Sequence, residues 1–386
     1  MNRVVKTTLA QRKLQSNLAR TTKRRITLLA VAAAAVMLGQ NLSLAQYLQL
    51  NLTGFQEGMG RYTDSKLNGW GMAQMPEGPF CVADSATGVA TFYNRSGHPL
   101  PKTITVPAAS GVGQGVPSGL VYNPTDDFVI SKNGKSSPAR LIFSTLDGAI
   151  CGWNPAVDPD SAILMFSKAG AGYPGLALGK NSRGRNTLYA ANWGSSAFEN
   201  LQFEMFDGGF NPVGEFADPA VALEFGGFGL GPFGIDYEDG KLWVTYAMVL
   251  GLPLTFGGVV DVFDADGNLL TPHHFAANAP GEGPLANPWA FAMAPAHFGK
   301  FSNALLIGNV EGPGYINAFD PNTGAFLGQL THPDGELIAI PGLWEMIFPH
   351  DNPGNGKSNP LFFDAGPNAI TFSGNGTFGM ILSEGD

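Results

Sequence analysis

Short apolar runs, separated by breaks rich in Gly, Asn and Asp, fill the chain from position 47 onward. No stretch there sustains a helical period. Runs this short, bounded by turn residues, predict β-strands. One phrase is written twice. NGWGMAQMP (68–76) and NPWAFAMAP (287–295) share Asn, Trp, Ala and Pro at the same places, 219 residues apart. Related openings are WGMA at Trp70, SGLV at Ser118, PGLA at Pro174, FGID at Phe233, WAFA at Trp289 and WEMI at Trp344, spaced by 48, 56, 59, 56 and 55 residues. Their second residues are Gly71, Gly119, Gly175, Gly234, Ala290 and Glu345. Gly before a short apolar strand predicts a close backbone approach.

A second apolar run follows most openings: FCVAD, LYAAN, LWVTY, LLIGN and LFFDA. A third follows that: GVATFYN, LQFEMFD, GVVDVFD, YINAFD and TFGMIL. Several third runs close in DGGFN (Asp207), DADGN (Asp264) or DPNTG (Asp320), the chemistry of hairpin turns. A unit of ~40–60 residues holding about four strands, repeated radially, is a propeller blade. Six openings therefore predict an all-β, six-bladed β-propeller of four-stranded antiparallel blades. The sixth unit is a strand short, and YLQLNL (Tyr47 to Leu52) is expected to complete it and close the ring. Closure removes free sheet edges. The second unit is the least regular, with DFVIS and ARLIFS both candidates for its second strand.

With the repeats in place, the chain resembles an uncharacterised family of exported bacterial proteins whose blades follow the NHL-type propeller pattern. The resemblance rests on YLQLNL, GWGMA, TGVATFYN, ARLIFSTLDGAICGWNP, GLALG, LYAAN, GGVVDVFDADGNLL, FGKFSNALLIGN, INAFDPNTGAFLGQL and GLW, from Tyr47 to about Phe363. It implies the fold and export, and brings no activity, ligand or catalytic residue. Two positions depart from the family's Gly after the opening aromatic: Ala290 and Glu345. The second places a carboxylate beside the expected central channel.

Composition agrees with a folded, turn-rich protein. Among 386 residues, Gly is 52 and Pro 28, aromatics are 11% and charges only 14%. The first 45 residues differ. Eight basic side chains (Arg3, Lys6, Arg12, Lys13, Arg20, Lys23, Arg24, Arg25) with no acid precede the apolar run ITLLAVAAAAVML, and Ser43 to Ala45 (SLA) follow. That order predicts a signal peptide over 1–45, cut before Gln46, and one propeller domain over 46–386. Arg24-Arg25 raises twin-arginine export as an alternative route. Without those eight charges, 14 basic residues face 31 acidic ones, a net −17. Such a surface repels phosphate backbones and excludes nucleic acid as a natural partner. No later segment is long and apolar enough to span a bilayer as a helix. Cys81 and Cys151 sit in apolar runs, either as buried small hydrophobes or as a bond between sheets.

Catalytic motifs are missing. There is no G-x-S-x-G elbow, and the Gly-rich FGGFGLGPFG (Phe225 to Gly234) is not in a βαβ unit. DADGN lacks the remaining ligands of a calcium loop. His273 and His274 would face opposite sides of a strand, and no third ligand lies at metal spacing. The expected ligand face is the one carrying the openings. It would receive Asn68, Trp70, Asp84, Asn192, Trp193, Phe233, Asn287, Trp289, Asn309, Glu311, Trp344, Glu345 and Asp364 as a polar floor with an aromatic rim. The alternative is that Asn and Asp cap turns and the tryptophans pack between blades. The expectation is an exported, monomeric binding or scaffolding module for a small molecule, a carbohydrate or an envelope protein. The other reading is a Ca²⁺-dependent hydrolase or lactonase with Asp84, Asn192, Asn309 and Glu345 as ligands.

Overall fold

The computed structural model of the protein describes residues 47–76, 78–194, 202–221, 230–248, 257–271, 273–279, 281–349, 360–366 and 376–383. All belong to one compact unit, Ala45–Asp386. The basic and apolar segment expected to direct export lies outside the described residues. None of the described residues forms a helix long and apolar enough to cross a membrane.

The chain opens with β1 (Tyr47–Gly54) and the short β2 (Tyr62–Thr63). Blade one is β3 (Gly69–Gln74), β4 (Phe80–Asp84), β5 (Val89–Tyr93) and β6 (Pro99–Thr105). Blade two takes β7 (Pro117–Tyr122), then inserts the hairpin β8 (Val129–Lys132) and β9 (Lys135–Pro138), then continues with β10 (Leu141–Thr145), β11 (Ala149–Trp153) and β12 (Ile163–Ser167). ARLIFS is thus its second strand, and DFVIS belongs to the insertion. Blade three is β13 (Leu176–Lys180), β14 (Asn186–Asn192), β15 (Gln202–Phe206) and β16 (Pro212–Phe216). Blade four is β17 (Leu230–Glu238), β18 (Lys241–Met248), β19 (Gly258–Asp264) and β20 (Ala276–Asn278). Blade five is β21 (Pro288–Met293), β22 (Leu305–Asn309), β23 (Ile316–Phe319) and β24 (Phe326–Gln329). Blade six holds β25 (Leu343–Ile347), β26 (Leu361–Ala365) and β27 (Thr377–Ser383). β1 then adds to β27 antiparallel, from Tyr47↔Ser383 to Gly54↔Thr377, and supplies the missing fourth strand. The expected ring closure is present.

The hairpin chemistry is as the sequence predicts. Asp207 Oδ1 accepts from the Gly209 and Asn211 amides, Asp264 Oδ1 from Asp266 and Asn268, and Asp320 Oδ1 from Asn322 and Thr323. DADGN is a turn held by its own aspartate.

The glycines of the openings have a common cause. A Cβ on Gly71 would lie 2.3 Å from the Ser118 carbonyl oxygen, and one on Gly234 only 2.0 Å from that of Trp289. Gly119 and Gly175 meet Leu176 and Phe233 in the same way. Each opening Gly lets the next blade's inner strand come within touching distance. Ala290 holds the place in blade five, and its methyl lies over Gly308, which has no side chain to obstruct it. In blade six Glu345 turns into the channel. Gly234→Ala would force backbone against backbone, and is expected to lower the unfolding free energy by about 1–3 kcal/mol or more. Denaturant midpoints would show it, and an unchanged midpoint would remove the close-approach explanation.

Apolar side chains fill the seams between blades. Phe80, Phe362, Phe378 and Tyr93 pack blade six on blade one, with Phe80 and Phe362 rings 4.3 Å apart. Cys81 and Cys151 both lie in the core of blades one and two and carry free thiols. Burial pushes both thiols well above the ordinary range, so they behave as small hydrophobes.

Candidate functional site

A β-bulge falls at each of the four inner-strand openings that start with an aromatic residue, between Gly69 and Gly71, Pro232 and Ile235, Pro288 and Phe291, and Leu343 and Glu345, and blade two has one between Pro117 and Leu120. A bulge re-aims the side chain it carries. Here it turns Trp70, Phe233, Trp289 and Trp344 into one cluster, completed by Ala247 and Val310. Trp70 stacks on Trp344 at 3.9 Å and 15°, and meets Trp289 edge-on at 5.3 Å. Phe233 meets Trp289 edge-on at 4.3 Å, and the half-buried Trp193 touches Trp70, Phe233 and Trp289. Trp70 Nε1 donates to the Pro174 carbonyl at 3.1 Å, which ties the cluster to blade three. The expected aromatic rim is therefore a buried plug. The sequence could not show this, because the bulge, not the residue type, sets the direction of the ring.

Beneath the plug lies a cavity of about 950 Å³, lined by all six inner strands. Its lining runs on to Lys180, Glu238 and Pro349, toward the turns that join first and second strands, the side opposite the openings. Trp70 and Trp289 form its floor. Its wall is apolar (Met72, Leu120, Leu176, Ile235, Phe291, Met346) with a few polar groups: Gln74, Tyr122, Lys180, Asp236, Glu238 and Glu345. Of the residues expected on the ligand face, Trp70, Trp289 and Glu345 line this cavity. Asp236 was missed, although FGID carries it where the other openings have an apolar residue.

Glu345 stands in the channel wall, and its carboxyl is held well above the usual range. Enclosure by protein is the main cause, followed by the charges of Asp364 and Asp236. Asp236 Oδ1 accepts from the Tyr237 amide at 2.8 Å, which fixes it in the wall.

The other expected residues serve their own blades. Asp84, Asn192 and Asn309 end the second strands of blades one, three and five. Each reaches back to the loop before its inner strand: Asp84 to the Asn68 amide (2.7 Å), Asn192 to Gly172 (3.2 Å), Asn309 to Ala286 (3.0 Å). Asp84 also accepts from Thr91 Oγ1 at 2.7 Å, and Asn192 Nδ2 donates to Glu204 at 2.7 Å. Asn68 Oδ1 takes Ser85 Oγ and the Ala86 amide. Asn287 is buried with its backbone at φ 50°, where Asn is tolerated. Glu311 is half-buried, and burial raises its carboxyl. Three of the four side chains suspected as Ca²⁺ ligands, Asp84, Asn192 and Asn309, are thus engaged blade by blade, while Glu345 stands apart from them in the cavity wall. Among the described residues, the one converging group of three His, Cys, Asp or Glu side chains lies in the outer strands and contains none of them.

Asp364 differs from these. It is fully buried in the seam with blade one, against Gly69, and neither carboxyl oxygen has a well-formed hydrogen bond. Burial raises it well above the usual range, the charge of Asp84 raises it further, and the Glu345 amide across the strand pair offsets little. Asp84 is also raised, by burial above all. These acids keep protons in the folded chain that the unfolded chain releases above about pH 4. Their stabilisation is complete below that value and is lost as pH rises toward their folded pKa values. Asp364→Asn is expected to flatten this decline above about pH 4, by up to about 1.4 kcal/mol per pH unit. Denaturant unfolding across that range would test it, and parallel slopes for both chains would refute it.

No protein-family model matches the chain. Two uncharacterised proteins of Acanthamoeba polyphaga mimivirus are similar to it. One is 27% identical over 322 residues, covering 79% of this chain and 73% of the relative. The other is 26% identical over 294 residues, covering 72% of each. Both are viral, so they give no support to the bacterial source that the resemblance implied. Among solved structures, the PQQ-bound aldose sugar dehydrogenase from Streptomyces coelicolor is similar, with a TM-score of 0.51 at 12% identity over 87% of this chain and 99% of that one. At that identity the likeness is one of fold alone. The chain is a six-bladed β-propeller with uncharacterised viral relatives.

Proposed function

We propose that the protein is an exported, monomeric binding propeller that takes a small molecule or carbohydrate into its axial cavity. The observation that carries this is the cavity itself, about 950 Å³, apolar-walled and floored by Trp70 and Trp289. Small-molecule sites have this size and this mix of apolar wall and few polar groups. A flat ring or a sugar face fits a tryptophan floor. Hydrogen-bond donors on the ligand would meet Asp236 and Glu345. Export rests on the basic-then-apolar order of the first 45 residues. A Ca²⁺-dependent hydrolase forms no part of this reading, since Asp84, Asn192 and Asn309 are engaged within their blades.

The test is a titration of the protein with a panel of mono- and oligosaccharides and small aromatic compounds, read by tryptophan fluorescence and melting temperature. At least one class is expected to bind saturably. Asp236→Asn and Glu345→Gln should each weaken it about tenfold, the scale of one lost hydrogen bond to a charged or buried group. Binding unaffected by both substitutions, or no binding across the panel, would sink the proposal.

A further inference from the structure

We propose that Asp218, Asp261 and His274 form a site for one divalent first-row transition cation between blades three and four. No spacing in the chain marks this group. His274 lies 13 residues from Asp261 and 56 from Asp218, at no motif spacing. The fold joins them: Asp218 follows β16, Asp261 lies in β19, and His274 precedes β20. His274 Nδ1 is 2.8 Å from Asp261 Oδ1 and 3.6 Å from Asp218 Oδ2. One ligand atom from each lies within 4.8 Å of the others. Two ligands bound to a tetrahedral ion at about 2.0–2.2 Å sit roughly 3.4 Å apart. An ion fits here once the His274–Asp261 edge opens by about 0.6 Å.

A second observation points to a ligand. Asp261 is fully buried, and its Oδ2 has no hydrogen-bond partner. A buried carboxylate oxygen without a donor leaves its desolvation uncompensated. The charge balance agrees. Two ionised carboxylates with one imidazole remain net negative whether or not the ring is protonated. A dication with a neutral imidazole brings the group to zero. One nitrogen and two carboxylates suit Zn²⁺ or Mn²⁺ better than Ca²⁺, which takes six to eight oxygens.

The ligands are also held in place from behind, as metal ligands commonly are. Asp218 Oδ1 accepts from the Ala220 amide at 2.8 Å, which leaves Oδ2 for the cluster, and the Asp218 amide donates to the buried Tyr246 hydroxyl at 3.1 Å. His274 is fixed by its own amide to the Thr271 carbonyl (3.2 Å) and by the Phe275 amide to that of Val260 (2.8 Å). His273 is not part of the group.

The experiment is calorimetric titration of the full chain, stripped with a chelator, with Zn²⁺ and separately with Mn²⁺, alongside melting curves. The expected result is one ion per chain and a higher melting temperature. His274→Asn and Asp261→Asn should each weaken binding at least tenfold while circular dichroism stays unchanged. Asn at 274 is chosen because it accepts the observed φ of 61°. Should either variant fail to fold, Asp218→Asn gives the same reading. No uptake of either ion would show a cluster balanced by a shared proton instead, and would overturn the proposal. So would uptake that survives the substitutions, which would place the ion elsewhere. The axial cavity plays no part in this test, so its proposed role stands or falls separately.

Discussion

Deleting residues 47–54 is expected to leave the protein without a stable fold at physiological temperature. The segment is a whole strand of blade six, paired to β27 along its length. Tyr47 and Thr53 are fully buried and Leu52 nearly so. Tyr47 also crosses to blade five, where its hydroxyl donates to the Phe298 carbonyl at 3.0 Å and accepts the Phe301 amide at 3.2 Å. Burying two large side chains is worth about 1.5–3 kcal/mol each. The lost ladder and the buried groups left unpaired at Phe298 and Phe301 add about 1–3 kcal/mol apiece. Together these rival the whole stability of an ordinary domain, about 5–15 kcal/mol. The deletion would also expose β27 as an apolar edge open to aggregation. Chromatography and circular dichroism of the shortened chain would decide. A soluble, cooperatively unfolding product would mean that β1 merely decorates a ring that closes without it.

Trp70→Ala is expected to cost about 3–5 kcal/mol, the range for emptying a large aromatic site in a core. Trp70 is 1% exposed and packs against Trp193, Trp289 and Trp344. Its stacking on Trp344 adds about 0.5–1.5 kcal/mol beyond burial. Its loss leaves the Pro174 carbonyl without the indole donor. The denaturant midpoint should fall with little change in slope, and Trp70→Phe should lie between the two. A loss below about 1 kcal/mol would show a plug that collapses around the gap.

The fold was legible because each blade needs the same thing at the same place. An inner strand must open without a side chain where the next blade presses on it, and that requirement recurs as Gly71, Gly119, Gly175 and Gly234. The missing strand of blade six was legible by subtraction. The insertion β8–β9 blurred blade two because a free hairpin has the same alternation as a blade strand. The site was less legible. Asp84, Asn192 and Asn309 carry ligand-type oxygens, but their spacing could not reveal that each one braces its own loop. The cavity lies on the far side of the tryptophans because bulges at the openings tip the rings into the axis. Asp236 left a trace, being the one acid at its place in six openings. The Asp218–Asp261–His274 group left none, since three positions drawn together by two sheets need share no spacing in the chain.

Ring closure also sets a timetable for folding. The first described strand of the ring pairs with the last, and Tyr47 bonds a residue 254 positions away. Five blades can form from neighbouring segments while β1 waits with its apolar residues unpaired. Contacts this remote in sequence are slow to form. Closure is therefore the late step, and the interval before it is when the chain is most exposed to misassembly and proteolysis.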